Sequence, residues 1–219
     1  MKSVKVFILS IIILATFSCA TNSANPIKPA SVNSHEYQIG AYLWFQTSGE
    51  YSALCYQAYN LARMRLDRDL QNKHNKPRAL VFDIDETVLD NSAGGALDIK
   101  NNVPWNKENL IKWMKQRAAI AVPGAREFIE YAVSKNVEII YLSNREDELK
   151  EDSFENLKAV GFPVKKENLY FLTADKSKEP RRLAILKKYE VVLFFGDNLA
   201  DFHQDWDNKT SVERRALVD

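Results

Sequence analysis

Four short apolar runs constrain this chain more than any other feature: ALVF (79–82), VEIIYL (137–142), LYFL (169–172) and VVLFF (191–195). Each is rich in β-branched or aromatic side chains and lacks the polar alternation of a strand with one wet face, so each reads as a strand buried on both sides. Helical patterns alternate with them: GAREFIEYAVSK before the second, EDELKEDSFENLKAVG before the third and EPRRLAILKKY before the fourth. Strand and helix in alternation predict an α/β fold, a Rossmann-like parallel sheet with helices on both faces.

The connection between the first two strands spans about 55 residues, several times what one crossover needs. A small inserted cap is expected from about 92 to 121, around NNVPWNKENLIKWMKQRA, with the core resuming at Pro123. Ahead of the sheet, residues 36–75 read as an N-terminal helical segment in which Leu54, Ala58, Leu61, Ala62 and Leu66 share one broad face. With 219 residues, 46% of them hydrophobic, there is room for one domain with a small appendage.

Charge excludes one class of partner. Lys plus Arg number 30 against 29 for Asp plus Glu, with no basic stripe, which argues against a nucleic-acid backbone and for a small molecule. No P-loop or glycine-rich dinucleotide fingerprint follows any strand, and His35, His74 and His203 lack zinc spacing. The opening segment MKSVKVFILSIIILATFSCA has two lysines, an apolar run too short for a comfortable bilayer span, and small residues around Cys19. It reads as an export signal over 1–18, with Cys19 as a lipidation site, simple cleavage near Ala20 as the alternative, and 19–35 as a polar tether. Acylation of Cys19 would leave Cys55 as the one remaining cysteine, so no internal disulfide framework is expected.

Ligands of open α/β sheets sit beyond the carboxyl ends of the strands. The first strand ends in Asp83 and Asp85, the second in Ser143, Asn144 and Arg145, the last in GDNLAD with Asp197 and Asp201; Lys176 and Lys178 precede the last helix. Two carboxylates one residue apart repel, so something positive is expected beside them. Carboxylates, a hydroxyl and a lysine at one sheet edge can hold a divalent cation and a phosphoryl group together. In an extended segment residues i and i+2 point the same way, so one aspartate can attack phosphorus while the other protonates the departing oxygen.

These motifs resemble those of the haloacid-dehalogenase-like (HAD-like) phosphohydrolases, and DIDETVLDNS, YLSNR, DKSKEPRR and GDNLADF are similar to the bacterial class C acid phosphatases of the lipoprotein e(P4) family. The resemblance runs from about Tyr37 to Asp219. It implies a HAD-like core over 36–219 and a phosphomonoesterase with an acidic optimum, acting on nucleoside monophosphates and other aromatic phosphate esters. It implies Asp83 as nucleophile and Asp85 as general acid and base, with Mg²⁺ bound by Asp83, the backbone carbonyl of Asp85 and the Asp197 side chain, supported by Asp201. Ser143, Asn144 and Lys178, with Lys176 as second choice, would hold phosphate. It also implies a lipid-anchored protein of the bacterial cell envelope, at the outer membrane. Two departures stand out: Gly94 and Gly95 where the family has an aromatic, and a chain that stops at Asp219 where the family continues into a final strand and an aromatic tail. Stacking of a substrate ring is then expected from Trp44 or Trp105. The rival reading is a non-catalytic surface binding lipoprotein on a degenerate phosphatase fold.

Overall fold

The computed structural model describes residues 36–172, 174 and 176–218. The export signal, Cys19 and the tether lie outside them. Among the described residues no helix is long and apolar enough to cross a membrane. The strands β1 (Arg78–Phe82), β4 (Glu138–Glu146), β5 (Leu169–Leu172) and β6 (Glu190–Phe195) form one parallel sheet in the order β5-β4-β1-β6. α5 (Ala125–Ser134) and α6 (Lys150–Ala159) lie in the crossovers between neighbouring strands, β1 to β4 and β4 to β5, and α7 (Glu179–Lys188) in the crossover from β5 at one edge to β6 at the other. The sheet is buried on both faces, as the unbroken apolar runs require. Leu80 and Phe82 face one cluster with Tyr59, Phe128, Ile129 and Leu157, whereas Ala79 and Val81 face a smaller one with Ile140, Ile185 and Tyr189. The period of two along β1 thus sends alternate side chains to opposite layers.

The coverage is unequal. The first cluster takes residues from α2 (Gly49–Asp69), α5 and α6, and the second takes them from α7. Helix α2 starts on Ser48, whose hydroxyl caps the Tyr51 N–H at 3.0 Å. It buries Tyr59, Ala62 and Leu66, with Cys55 half-buried on the same side. Leu54 and Leu61 are 57% and 52% exposed, which corrects the expected face: spacing of 55, 59, 62 and 66 follows the helical period as well as the leucines do, and Tyr59 and Cys55 carry the packing. A shorter helix, α1 (Ile39–Thr47), precedes it and buries none of its residues.

Between β1 and β4 lie a two-residue strand β2 (Leu89–Asp90), α3 (Ser92–Lys100), α4 (Lys107–Gln116) and β3 (Ile120–Ala121). β2 and β3 pair antiparallel, closing the excursion where it began. Asn106 caps α4 through the Asn109 N–H at 2.8 Å, and Arg117 ends it in a left-handed conformation. Three ion pairs bind α4 and its end to the end of β4 and the segment after it: Lys107 with Glu146, Lys115 with Glu148 at 4.0 Å, and Arg117 with Asp152 at 2.7 Å. A final short helix, α8 (Ser211–Ala216), follows the last strand.

The join between α2 and β1 is fixed by Asp69. Its carboxylate accepts from Arg78 Nε at 2.7 Å and meets His74 Nε2 at 2.9 Å. Burial alone would raise this carboxyl, but the hydrogen bonds from Arg78 and His74 outweigh it and hold it below the usual aspartate range. A native value below the unfolded one, about 3.9, means the contribution is complete above that pH and lost as the pH falls through the native value. Asp69→Asn should therefore cost about 1–2 kcal/mol at neutral pH. The gap between the two urea midpoints should begin to narrow as the pH falls below about 3.9 and vanish once it is below the native value.

Candidate active site

The site starts where β1 stops. The Asp83 N–H donates to the Phe195 carbonyl at 2.9 Å, so the ladder between β1 and β6 continues one residue and brings Asp83 beside the Gly196–Asp197 turn. Ile84 is fully buried, and its carbonyl accepts from both Val88 and Leu89 at 3.0 and 2.9 Å. The chain reverses there through Glu86, whose φ is +55°, leaving Asp85 at the mouth. A tight reversal straight after the strand is what lets two aspartates one residue apart serve different neighbours.

Asp83 is 7% exposed and Lys178 5%. The Lys178 ammonium donates to Asp83 Oδ1 and, at 2.6 Å, to Asp201 Oδ1. Carboxylate oxygens of Asp83, Asp197 and Asp201 all lie within 4.8 Å of one another. Burial pushes the Asp83 carboxyl above the ordinary aspartate range; Lys178 pulls it back, and Asp201 and Asp85 add to the rise. Lys176 is exposed on the rim of the same cavity, about 550 Å³ in volume, which Asp83, Asp85, Asn144, Lys178 and Asp197 also line. Ser143 is fully buried, with its hydroxyl accepting from the Arg145 N–H at 3.1 Å. The cavity wall at the end of β4 is formed by Asn144.

Three arginines hold these groups, and reasoning from sequence assigned none of them a part. Arg181 donates to the Ser143 carbonyl and to Asn144 Oδ1, both at 2.6 Å, tying α7 to the end of β4. Arg182 donates to the carbonyls of Ala200 and Asp201 at 3.0 Å, tying α7 to the loop after β6. Arg145 grips Asp85: Nη2 lies 2.7 Å from Oδ1, and Nε 3.1 Å from each oxygen. Ser153 on α6 anchors Arg145 Nη1 at 2.8 Å. The signal in the sequence was the RR pair shortly after Lys178, since two adjacent arginines at the start of an otherwise amphipathic helix have no packing role.

Asp85 has a second partner. Asn91 Nδ2 donates to its Oδ1 at 2.8 Å, so Oδ1 carries the Asn91 bond and the short Arg145 bond, while Oδ2 has a single 3.1 Å contact. The Asn91 Oδ1 in turn accepts from Trp113 Nε1 at 3.0 Å. Trp113 stands on α4 over Gly94, where a Cβ would come within 2.6 Å of the indole. Tyr42 lies against Gly95 in the same way. A cavity of about 510 Å³ is walled by Tyr42, Phe45, Asn91, Trp105 and Trp113. The two glycines thus admit aromatic rings from α1 and α4, supplying in space what the sequence lacks in place. Of the two tryptophans expected to meet a substrate ring, Trp105 lines this cavity and Trp44 is not among its lining residues.

The donor set suits a hard divalent cation, since oxygens of three carboxylates converge and two of them, Asp83 and Asp201, are buried. A cation there and Lys178 together offset the repulsion of the cluster, and both could face the oxygens of a phosphoryl group.

Comparison with known proteins agrees with this geometry. The family described as HAD superfamily, subfamily IIIB (acid phosphatase), matches residues 11–218. The chain is similar to the class C acid phosphatase of Bacillus anthracis in two solved structures. With the tungstate-bound form it shares 39% identity over 85% of this chain and 79% of that one, with a TM-score of 0.81. With a second structure of that enzyme the values are 38%, 83%, 77% and 0.78.

Gly196 tests how tightly the cluster is built. A Cβ there would lie 2.4 Å from the Asp201 Cβ and Oδ2, and Asp201 Oδ2 already accepts from the Asn198 N–H at 3.1 Å. Gly196→Ala should displace Asp201 and weaken divalent-cation binding about tenfold by calorimetry, in the range seen for groups that orient ligands.

Proposed function

The chain belongs to the acid phosphatases of HAD superfamily subfamily IIIB, and on that premise we propose that it is a Mg²⁺-dependent phosphomonoesterase working through a phosphoaspartate on Asp83. The observation that carries this reading is Lys178 bridging Asp83 and Asp201 at the end of β1, with Asp197 alongside. Asp83 attacks phosphorus, the bond from phosphorus to the ester oxygen breaks, and Asp85 gives that oxygen a proton. Asp85 then takes a proton from the water that attacks the phosphoaspartate, and inorganic phosphate leaves. Lys178 fixes the attacking carboxylate, and with Asn144 and the Ser143 hydroxyl it would hold the phosphoryl oxygens. Mg²⁺, held by Asp83, Asp197 and the Asp85 carbonyl with Asp201 behind, would neutralise charge on the phosphoryl oxygens.

The aromatic-walled cavity beside Asn91 supports aromatic phosphate esters, nucleoside monophosphates among them, as substrates. Residues 92–121 form the cap of this reading. The N-terminal segment supports export and anchoring in the bacterial envelope, at the outer membrane, through lipid on Cys19.

Asp83→Asn should lower phosphate release from a nucleoside monophosphate by several orders of magnitude, and chelation of divalent cations should do the same reversibly. Near-full activity of Asp83→Asn would exclude the covalent route. Separately, the native protein should partition into detergent, and Cys19→Ala should move it to the aqueous phase; a native protein found free in the medium would exclude the anchor.

A further inference from the structure

We propose that Trp113 and Asn91 are positioning residues for Asp85, a relay by which cap helix α4 holds the proton-transfer group in place. The inference rests on the reading of Asp85 as the acid that protonates the leaving oxygen. Its basis is the direction of three hydrogen bonds. An indole N–H can only donate, so the Asn91 oxygen must face Trp113 at 3.0 Å, and the Asn91 amide nitrogen must then face Asp85 Oδ1 at 2.8 Å. The Asn91 backbone is fixed as well, since its N–H donates to Glu86 Oε1 at 3.0 Å. The amide therefore has one orientation, imposed from the cap.

That orientation decides which oxygen of Asp85 does the chemistry. With Asn91 and Arg145 both donating to Oδ1, and only the 3.1 Å contact from Arg145 Nε on Oδ2, Oδ2 is the oxygen left to face the leaving group. An ionised Asp85 itself selects the amide nitrogen, but a protonated Asp85 can donate as well as accept, and the indole is then what keeps the nitrogen turned toward Oδ1. A flipped amide would offer Asp85 an oxygen, which competes for the acid's proton instead of leaving it free. Trp113 is itself held in place. It seats on Gly94, which has no room for a Cβ beneath the ring, and α4 is pinned to the core on either side by the Lys107 and Arg117 ion pairs.

A group that orients the acid matters in proportion to how much the leaving oxygen needs a proton. The quantity to measure is kcat/KM, which for this two-step route ends at the first irreversible step, cleavage of the ester. Glycerol phosphate, whose alcohol leaves poorly, is compared with p-nitrophenyl phosphate, whose phenol leaves well. Asn91→Ala and Trp113→Phe should each lower kcat/KM for glycerol phosphate about 10- to 100-fold more than that for p-nitrophenyl phosphate. The double variant should be no worse than the worse single one, because both break the same chain. Retained p-nitrophenyl phosphate turnover also certifies that the variants are folded. In a spectrum independent of catalysis, the indole N–H resonance assigned by its loss in Trp113→Phe should shift in Asn91→Ala. Equal losses on both esters, no loss on either, or an unmoved indole resonance would each overturn the relay. Turnover of both esters by the wild type and its loss in Asp83→Asn test the parent reading independently; if the wild type cleaves neither ester, that reading fails and the relay falls with it.

Discussion

Everything at the mouth of the sheet depends on one lysine. Asp83 and Asp201 are buried side by side with Asp197 near, and three carboxylates so placed would repel and shed charge without a cation among them. Lys178 supplies that cation from the turn before α7, where Pro180 starts the helix. Its ammonium is a compact charge with several donors, so it can address two carboxylates at once. Removing it would leave buried charge unpaired, a far larger penalty than losing a surface ion pair.

The backbone around the lysine is organised to the same end. Arg181 and Arg182 leave α7 in different directions, one to the end of β4 and one to the loop after β6, so the helix that delivers Lys178 also holds the two segments that face it. The ladder bond from Asp83 to Phe195 locks the nucleophile's segment to β6. Beneath, Phe82 and Phe195 stack with ring centroids 4.2 Å apart, giving those two strand ends a rigid floor. Precision at the site comes from strand ends and a helix start rather than from long loops.

Much of this was legible in the chain. The four strands were readable because burial on both faces leaves unbroken apolar runs, and the acidic and basic residues at their ends stood out for the same reason. The second strand was read too short: β4 continues through Ser143, Asn144 and Arg145 to Glu146, since its polar end is satisfied by Arg181, Ser153 and Asp85, partners remote in sequence. The face of α2 was misread because leucines draw attention that Tyr59 and Cys55 do not, although a tyrosine can bury its ring and still bond its hydroxyl, here to the Thr87 carbonyl at 2.6 Å. Of the aromatic cavity only Trp105 was legible. Gly94 and Gly95 looked like a loss, and only the fold reveals that Trp113 and Tyr42 come from 19 and 53 positions away to fill the space they leave.

The seam between α4 and the core is sorted by sign: its three bases are all on the cap side and its three acids all on the core side. Opposite charge across these three pairs draws the two surfaces together and pins the helix at both ends. It acts across roughly 8–10 Å of salt solution and weakens as salt is added. Registration falls to shape, and beside the seam an indole rests on a bare α-carbon. Attraction and alignment are therefore separable in this fold: ionic strength sets how firmly the seam is held, and a single missing methyl group sets where the indole rests.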